Sequence, residues 1–369
     1  MPYVPVNEPV ITAASKCYVT DAMETGWVSS AGPYIEKFEE AFAAYLERKH
    51  AVTTTNGTSA LHLALSALGV QKGDEVIIPD FTMGACINAI LYCGATPVFC
   101  DVDPETFTID PKDIERKIST KTKVIMPVHI YGHPADMDPI LSLAKKKGVT
   151  VLEDAAEAHG AKYHGKFCGS LGDVAAFSFY GNKIITTGEG GMVVTDDDRL
   201  AQRLRTLKDL AHSPKKRFWH EELGFNYRMT NLQAALGLGQ MESIGTFLER
   251  KRSMAARYEE GLHGVRGLKL PITKPNCENV FWMYAVLVEK GNLLSRDKMR
   301  AELLKRGIDT RDFFYPLHQM PIAKGCIGYG GRFPVTEDLS ERGFYLPSGL
   351  AITDAQIDTV ITALKEICG

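Results

Sequence analysis

The stretch Ser178-Phe179-Tyr180-Gly181-Asn182-Lys183-Ile184-Ile185-Thr186-Thr187-Gly188-Glu189-Gly190-Gly191 decides how this chain is read. An apolar run, residues 174–179, enters a polar turn that presents one lysine, Lys183. A glycine-rich return leads into a second apolar run, 192–194. The pattern predicts strand, turn, strand. A lysine held on such a turn is open to partial desolvation, which lowers its pKa toward that of a nucleophilic amine. Such an amine suits a Schiff base with an aldehyde such as pyridoxal phosphate. A lone turn lysine is usually only solvated, so the reading depends on what stands upstream.

About thirty residues earlier, the apolar run 149–153 ends in Asp154-Ala155-Ala156-Glu157-Ala158-His159-Gly160. A carboxylate at the carboxyl end of a parallel strand sits where α/β sheets bind ligands. There Asp154 can pair with a pyridinium nitrogen and keep it protonated. The plain alternative is a helix N-cap, a common place for Asp. Further upstream, Asn56-Gly57-Thr58-Ser59-Ala60-Leu61-His62 reads as strand end, glycine turn and helix start. That combination gathers free backbone N–H groups around an anion, although Ser or Thr before an apolar helix is usually just a cap.

Outward from these segments, strand and helix alternate from residue 51 to about 195. Strands are expected at 51–53, 75–78, 97–100, 123–126 and 150–153. Helices are expected at 58–69, 82–93 and 136–147. An earlier helix spans 36–46, with Phe38, Phe42 and Leu46 on one face. This predicts an α/β protein with a mainly parallel sheet wrapped in helices. A helix at 197–211 follows, then the basic and aromatic loop His212-Ser213-Pro214-Lys215-Lys216-Arg217-Phe218-Trp219-His220. A long helical stretch, 230–262, leads to a smaller α+β domain with strands near 267–270 and 281–288 and helices at 297–306 and 354–367. The division expected is 1–245 for the large domain and 246–369 for the small one.

The 369 residues suffice for two domains. Net charge of −3 and only short basic clusters give no reason to expect a nucleic-acid or membrane surface. Eight scattered cysteines without C-x-x-C or metal-type spacing point to reduced thiols, a cytoplasmic location and no metal. No secretory pattern opens the chain.

The order phosphate cradle, aspartate, lysine, each at a strand end, resembles the DegT/StrS family of sugar-nucleotide aminotransferases. The likeness also rests on Gly26-Trp27-Val28-Ser29-Ser30, Val128-His129-Ile130-Tyr131-Gly132-His133-Pro134 and Gly224-Phe225-Asn226-Tyr227-Arg228-Met229-Thr230-Asn231. The resemblance implies the pyridoxal phosphate (PLP) fold type I, as in aspartate aminotransferase, and PLP as cofactor. It implies that Lys183 is catalytic and binds PLP. Gly57 and Thr58, with Ser59 beside them, and Ser178 would hold the phosphate, with Asn226 supplied by a partner subunit of a homodimer with shared sites. Asp154 would bind the ring nitrogen and Glu157 would approach the phenolic oxygen. Expected substrates are glutamate and a 4-keto-6-deoxy sugar nucleotide, aminated at C4. A GDP-linked sugar is expected, and a dTDP- or UDP-linked one stays open.

Two positions depart from the family pattern. Met83 stands where an aromatic residue usually stacks on the cofactor ring, though a thioether can still lie against a ring. Asp312 stands where close relatives tend to have proline. Candidate substrate contacts are Ser29, Arg217, Trp219, Arg228, Arg311, Tyr315 and His318. Arg217 and Trp219 suit a diphosphate beside a flat ring. Arg311 and His318 read equally well as structural, and His129 and His133 read as structural. A sugar dehydratase on the same fold is disfavoured because such relatives replace the lysine with histidine. A non-catalytic scaffold is disfavoured by the joint presence of Asp154, Lys183, Asn226 and the phosphate turn.

Overall fold

The computed structural model describes residues 3–213 and 215–369, with the main chain alone for Arg217. Its centre is a seven-stranded sheet with the spatial order His50–Thr54, Gly191–Thr195, Val174–Ser178, Thr150–Asp154, Thr122–Ile125, Glu75–Pro79 and Thr96–Cys100. Gly191–Thr195 runs antiparallel to both of its neighbours, and the other adjacent pairs are parallel. The strands Glu75–Pro79, Val174–Ser178 and Gly191–Thr195 are buried at every residue. That explains why they read as continuous apolar runs: helices cover both faces of such a sheet.

The expected helices form with adjusted ends. The second spans Ala85–Tyr92 and leaves Thr82 and Met83 in the preceding loop, because the chain enters helical geometry only at Gly84. The stretch expected as one helix over 230–262 is two, Asn231–Met241 and Ile244–Leu262. Thr230 and Gln233 form a capping box on the first, and the chain breaks at Glu242 and Ser243. The basic-aromatic segment is a short hairpin, His212–Ser213 against Lys216–His220, rather than a loop.

The small half has its own antiparallel sheet, ordered Leu268–Lys269, Tyr284–Val288, Gly343–Leu346 and Arg311–Asp312. Its core includes Tyr258, Tyr284, Phe344 and Leu364, and also takes in Val4. The amino-terminal arm joins it through Val4 N–H to Gly307 O at 2.8 Å and Asp309 N–H to Val4 O at 3.0 Å. The main core in turn includes Val280, Trp282, Phe313 and Phe333. The helix Ile244–Leu262 serves both cores, with Phe247 and Leu248 in one and Met254 and Tyr258 in the other. Residue 245 lies at the start of this shared helix. Among the described residues no helix is long and apolar enough to cross a membrane.

The sheet's carboxyl edge is fixed by Glu153, which is wholly buried. Its carboxylate accepts from His129 Nε2 at 2.9 Å and from the N–H groups of Gly169, Leu171 and Gly172 at 2.7, 2.9 and 2.6 Å. His129 Nδ1 accepts from Ala135 N–H, so Nε2 carries the ring's proton. Burial would raise the Glu153 pKa, but His129 and these backbone donors outweigh it and hold the group below its ordinary range. A depressed native pKa contributes stability that is present above the unfolded value and lost as pH falls through the native one. Glu153→Ala is expected to cost about 3–5 kcal/mol at neutral pH, because it strands the donors. Urea midpoints measured from pH 7 down to 3 should fall more steeply for wild type than for the variant below the ordinary glutamate pKa of 4.5.

Candidate active site

The loops at the carboxyl edge enclose a cavity of about 450 Å³. Its lining includes Gly57, Thr58, Met83, Asp154, Glu157, Ser178 and Lys183. These residues come from four separate strand ends and meet only because the parallel sheet brings those ends to one edge.

The phosphate-type corner forms where the helix Gly57–Ala67 begins. Asn56 caps it: Ser59 N–H donates to Asn56 Oδ1 at 2.8 Å, and Asn56 N–H donates to Ser59 Oγ at 3.0 Å. The Ser59 side chain is therefore occupied by the cap and stands behind the cavity wall, whereas Gly57 and Thr58 line it. Gly57 and Thr58 occupy the first two helical positions, whose N–H groups lack intrahelical acceptors. Glycine is needed at 57 because a Cβ there would sit 2.7 Å from Ser178 Cβ. That close approach sets the Ser178 hydroxyl beside the helix start. Gly191 is equally constrained, since a Cβ would meet Asn56 O at 2.3 Å.

Asp154 ends its strand, buried. Its Oδ1 accepts from Ala156 N–H at 3.1 Å and its Oδ2 from the Cys86 thiol at 3.1 Å. Burial first, and then Asp154, push the Cys86 pKa well above its ordinary value, so sulfur stays a neutral donor.

Lys183 lies in the turn as expected and is largely desolvated, with only 10% of its side chain exposed. Its Nζ stands 3.6 Å from Glu157 Oε1 and 3.7 Å from the centre of the Trp282 ring. Burial pushes the Lys183 pKa down, against the pull of Glu157 and Asp154. Burial pushes Glu157 up to about 7, against Lys183 and the Tyr131 N–H, which donates to Glu157 Oε2 at 2.8 Å. Tyr131 provides that N–H from the left-handed region, at φ 53°. A strained non-glycine residue at a site is a feature the surrounding packing must enforce.

Met83 lies at the cavity mouth and is more than half exposed. Other candidates are placed elsewhere. His318 is buried away from the cavity: its main-chain N–H and Nδ1 reach Asp80 at 2.7 and 2.6 Å, and its Nε2 is 3.5 Å from Glu337. It ties the segment after Pro316 to the end of the strand Glu75–Pro79. Arg311 is exposed and paired with Asp309 at 3.1 Å. Tyr315 and Ser29 are exposed, and Ser29 O accepts from Asn231 N–H. Trp219 is exposed, with Lys216 Nζ over its ring at 4.2 Å. Asn226 Oδ1 accepts from Arg228 Nε at 3.0 Å, and Arg228 pairs with Asp209 at 3.0 Å, outside this chain's cavity. Arg217 lies outside the described side chains. Asp312, the second departure from the family pattern, pairs with Arg300 and Arg296 and so fixes the edge strand of the small sheet to the helix Arg296–Lys305.

Sequence reasoning missed Cys86, Tyr131 as a main-chain donor, and Trp282. Nothing local marks them: Trp282 is 100 residues from Asn182, whose carbonyl accepts from its indole N–H.

The donor set fits PLP. Two helix-start N–H groups and the Thr58 and Ser178 hydroxyls suit a phosphate, a buried carboxylate suits a pyridinium nitrogen, and a largely desolvated amine suits an aldehyde. Fold and site together define a PLP-dependent transaminase. The chain matches the model of the DegT/DnrJ/EryC1/StrS aminotransferase family over residues 9–365, and it belongs to that family. It is 45% identical to GDP-perosamine synthase of Caulobacter vibrioides over 371 aligned positions, covering 100% of this chain and 99% of that one. It is 40% identical to dTDP-3-amino-3,4,6-trideoxy-alpha-D-glucose transaminase of Streptomyces venezuelae, covering 91% of this chain and 87% of that one. A structure described as a sugar aminotransferase from Streptococcus pneumoniae in its PLP form superposes with a TM-score of 0.92 at 28% identity, covering 100% of this chain and 98% of that one. PLP is the cofactor, and the activity is that of a sugar aminotransferase.

Borohydride reduction of PLP-loaded protein should fix the cofactor's mass on the tryptic peptide containing Lys183. Lys183→Ala should lose that adduct and at least about 10²-fold in turnover, the scale of a missing acid/base. An adduct on another lysine would reject the assignment.

Proposed function

We propose that this chain transfers the amino group of glutamate to C4 of GDP-4-keto-6-deoxymannose. The observation that carries the reaction is the largely desolvated Lys183 amine 3.6 Å from Glu157 in the same cavity as Asp154. The full-length likeness to GDP-perosamine synthase supports the sugar and the nucleotide.

When bound, PLP supplies an electron sink for charge developing at carbon. Asp154 would keep the ring nitrogen protonated, and Cys86 steadies the Asp154 carboxylate. Gly57, Thr58 and Ser178 would hold the phosphate, Met83 would pack beside the cofactor, and Glu157 would serve its phenolic oxygen. Lys183 Nζ, its pKa lowered by burial against the pull of Glu157 and Asp154, takes the proton from the α-carbon of glutamate. In the second half-reaction it delivers one to C4 of the sugar. A lysine whose pKa is shifted down from its ordinary value is the better suited to moving a proton in both directions.

Asn226, Arg228 and Trp219 lie outside the cavity of their own chain, which supports their acting in the site of a second copy in a homodimer. Arg228 then has the choice of the donor carboxylate or the sugar-nucleotide phosphates, and Trp219 meets the nucleotide. The likeness to a dTDP-sugar transaminase favours one second reading, a dTDP-linked keto sugar with the same chemistry.

Two measurements test this. With glutamate as donor, kcat/KM should be at least about tenfold higher for GDP-4-keto-6-deoxymannose than for dTDP-4-keto-6-deoxyglucose, a difference of about 1.4 kcal/mol, and NMR should place nitrogen at C4. A reversed ranking, or nitrogen at C3, would leave only the aminotransferase class standing. Second, heterodimers pairing a Lys183→Ala chain with an Asn226→Ala chain should recover activity absent from either parent, since one of the two sites then keeps both residues. Purified heterodimers as inactive as their parents would mean the site is not shared.

A further inference from the structure

Beneath Lys183 lies a set of groups that the reaction as proposed does not use. The Trp282 ring faces Lys183 Nζ with its centre 3.7 Å away. Its indole N–H donates to the carbonyl of Asn182, the residue before the lysine, at 2.8 Å. The Trp282 carbonyl accepts from Lys251 Nζ at 2.8 Å, and the same amine donates to Ser348 O at 2.5 Å. Lys251 is a buried lysine on the helix shared by the two cores. A gap of about 10 Å³ lies among Lys183, Lys251, Trp282, Asn182, Glu8 and Ser348.

We propose that Trp282 is a positioning residue for Lys183: its ring holds and partly stabilises the charged amine, and Lys251 holds the ring in place from the seam of the two cores. The proposal rests on Lys183 being the amine that captures the cofactor. An ammonium over an indole face is attracted by the ring's quadrupole, most strongly when both are desolvated, and tryptophan offers the best such face. Two anchors fix the ring's plane, one at its nitrogen and one at its main chain. A buried lysine sharing its protons between two carbonyls is not a replaceable surface contact. Burial, and then the nearby Arg250, push the Lys251 pKa down to about 7, so the clamp itself is held against desolvation.

The charged and titratable groups facing Lys183 are Glu157 and Asp154 from the sheet edge, His159 behind them, Glu189 in the return, and Glu8 and Lys251 across the small gap. The two carboxylates at the sheet edge favour the charged amine, and burial opposes it. Trp282 adds to the first side without bringing a second proton acceptor. Removing its ring therefore lowers the Lys183 pKa.

The test uses the full-length protein stripped of PLP. The rate at which the visible band appears on mixing with PLP is followed against pH, because only the neutral amine attacks the aldehyde. For Trp282→Leu the pH midpoint of this rate should fall by roughly one unit, the scale of a desolvated cation–π contact. Trp282→Phe keeps a weaker face and should fall between wild type and leucine, so it carries the test if the leucine variant does not fold. Lys251→Met, which leaves the indole but frees its carbonyl, should shift the midpoint the same way by less. Near-UV circular dichroism establishes that each protein is folded. A phenylalanine midpoint at or above wild type, or one as low as the leucine variant's, overturns the role of the ring. A folded Lys251→Met protein that titrates like wild type overturns the role of Lys251. Lys183→Met protein must show no band: a band there would reject Lys183 as the capturing amine, whereas failure of the Trp282 series alone leaves that assignment intact.

Discussion

A largely desolvated amine beside a buried carboxylate is a costly arrangement. Desolvation penalises both charges, and mutual attraction offsets it only when geometry and further hydrogen bonds are good. Lys183 and Glu157 are held in this arrangement by the rest of the site. Glu157 is fixed by the Tyr131 N–H, Tyr131 by its strained backbone and its ring neighbours Phe314 and Trp282, and Lys183 by its turn and the indole beneath it. The outcome is two groups displaced toward neutrality from opposite directions. That is the condition a group needs to accept and return a proton near neutral pH.

The site also depends on the seam between the two cores. Trp282 belongs by sequence to the small half, but its ring packs in the main core. The amino-terminal arm crosses the other way, through Val4, and Asn7 Nδ2 reaches Asn182 O at 3.3 Å. The lysine turn is thus held by residues near 7, 183, 251 and 282.

His318 shows how a polar residue near a site can serve the loop that carries it. A histidine beside tyrosine and proline in a loop reads equally well as a ligand contact or as structural, and here it is enclosed by Asp80 and Glu337. Burial pushes Asp80 up to about 6 despite the pull of His318. The pair anchors the loop to the strand that leads to Met83, so it influences the cavity only through the backbone.

The sequence by itself determined the alternating strands and helices, the strand-end positions of Asp154 and Gly57, and the lysine on its turn. Each of these follows from local rules: apolar runs make buried strands, glycine permits close approach, and a polar residue after a strand faces the sheet's carboxyl edge. The break at residues 242–243 was masked because the apolar spacing Leu238, Met241, Ile244 and Phe247 runs through it, although Ser243 is a favoured N-cap type and Gly245 a poor helix former. Nor were Trp282, Cys86 and the Lys251 clamp legible, since their partners lie from 31 to 100 residues away in the chain. Tertiary structure decided which of the polar residues share a cavity, because only the stacking of parallel strands and the crossing of the two cores bring those distant side chains within hydrogen-bonding distance. It also decided what covers Lys183: a turn lysine carries no local mark of the indole against its amine.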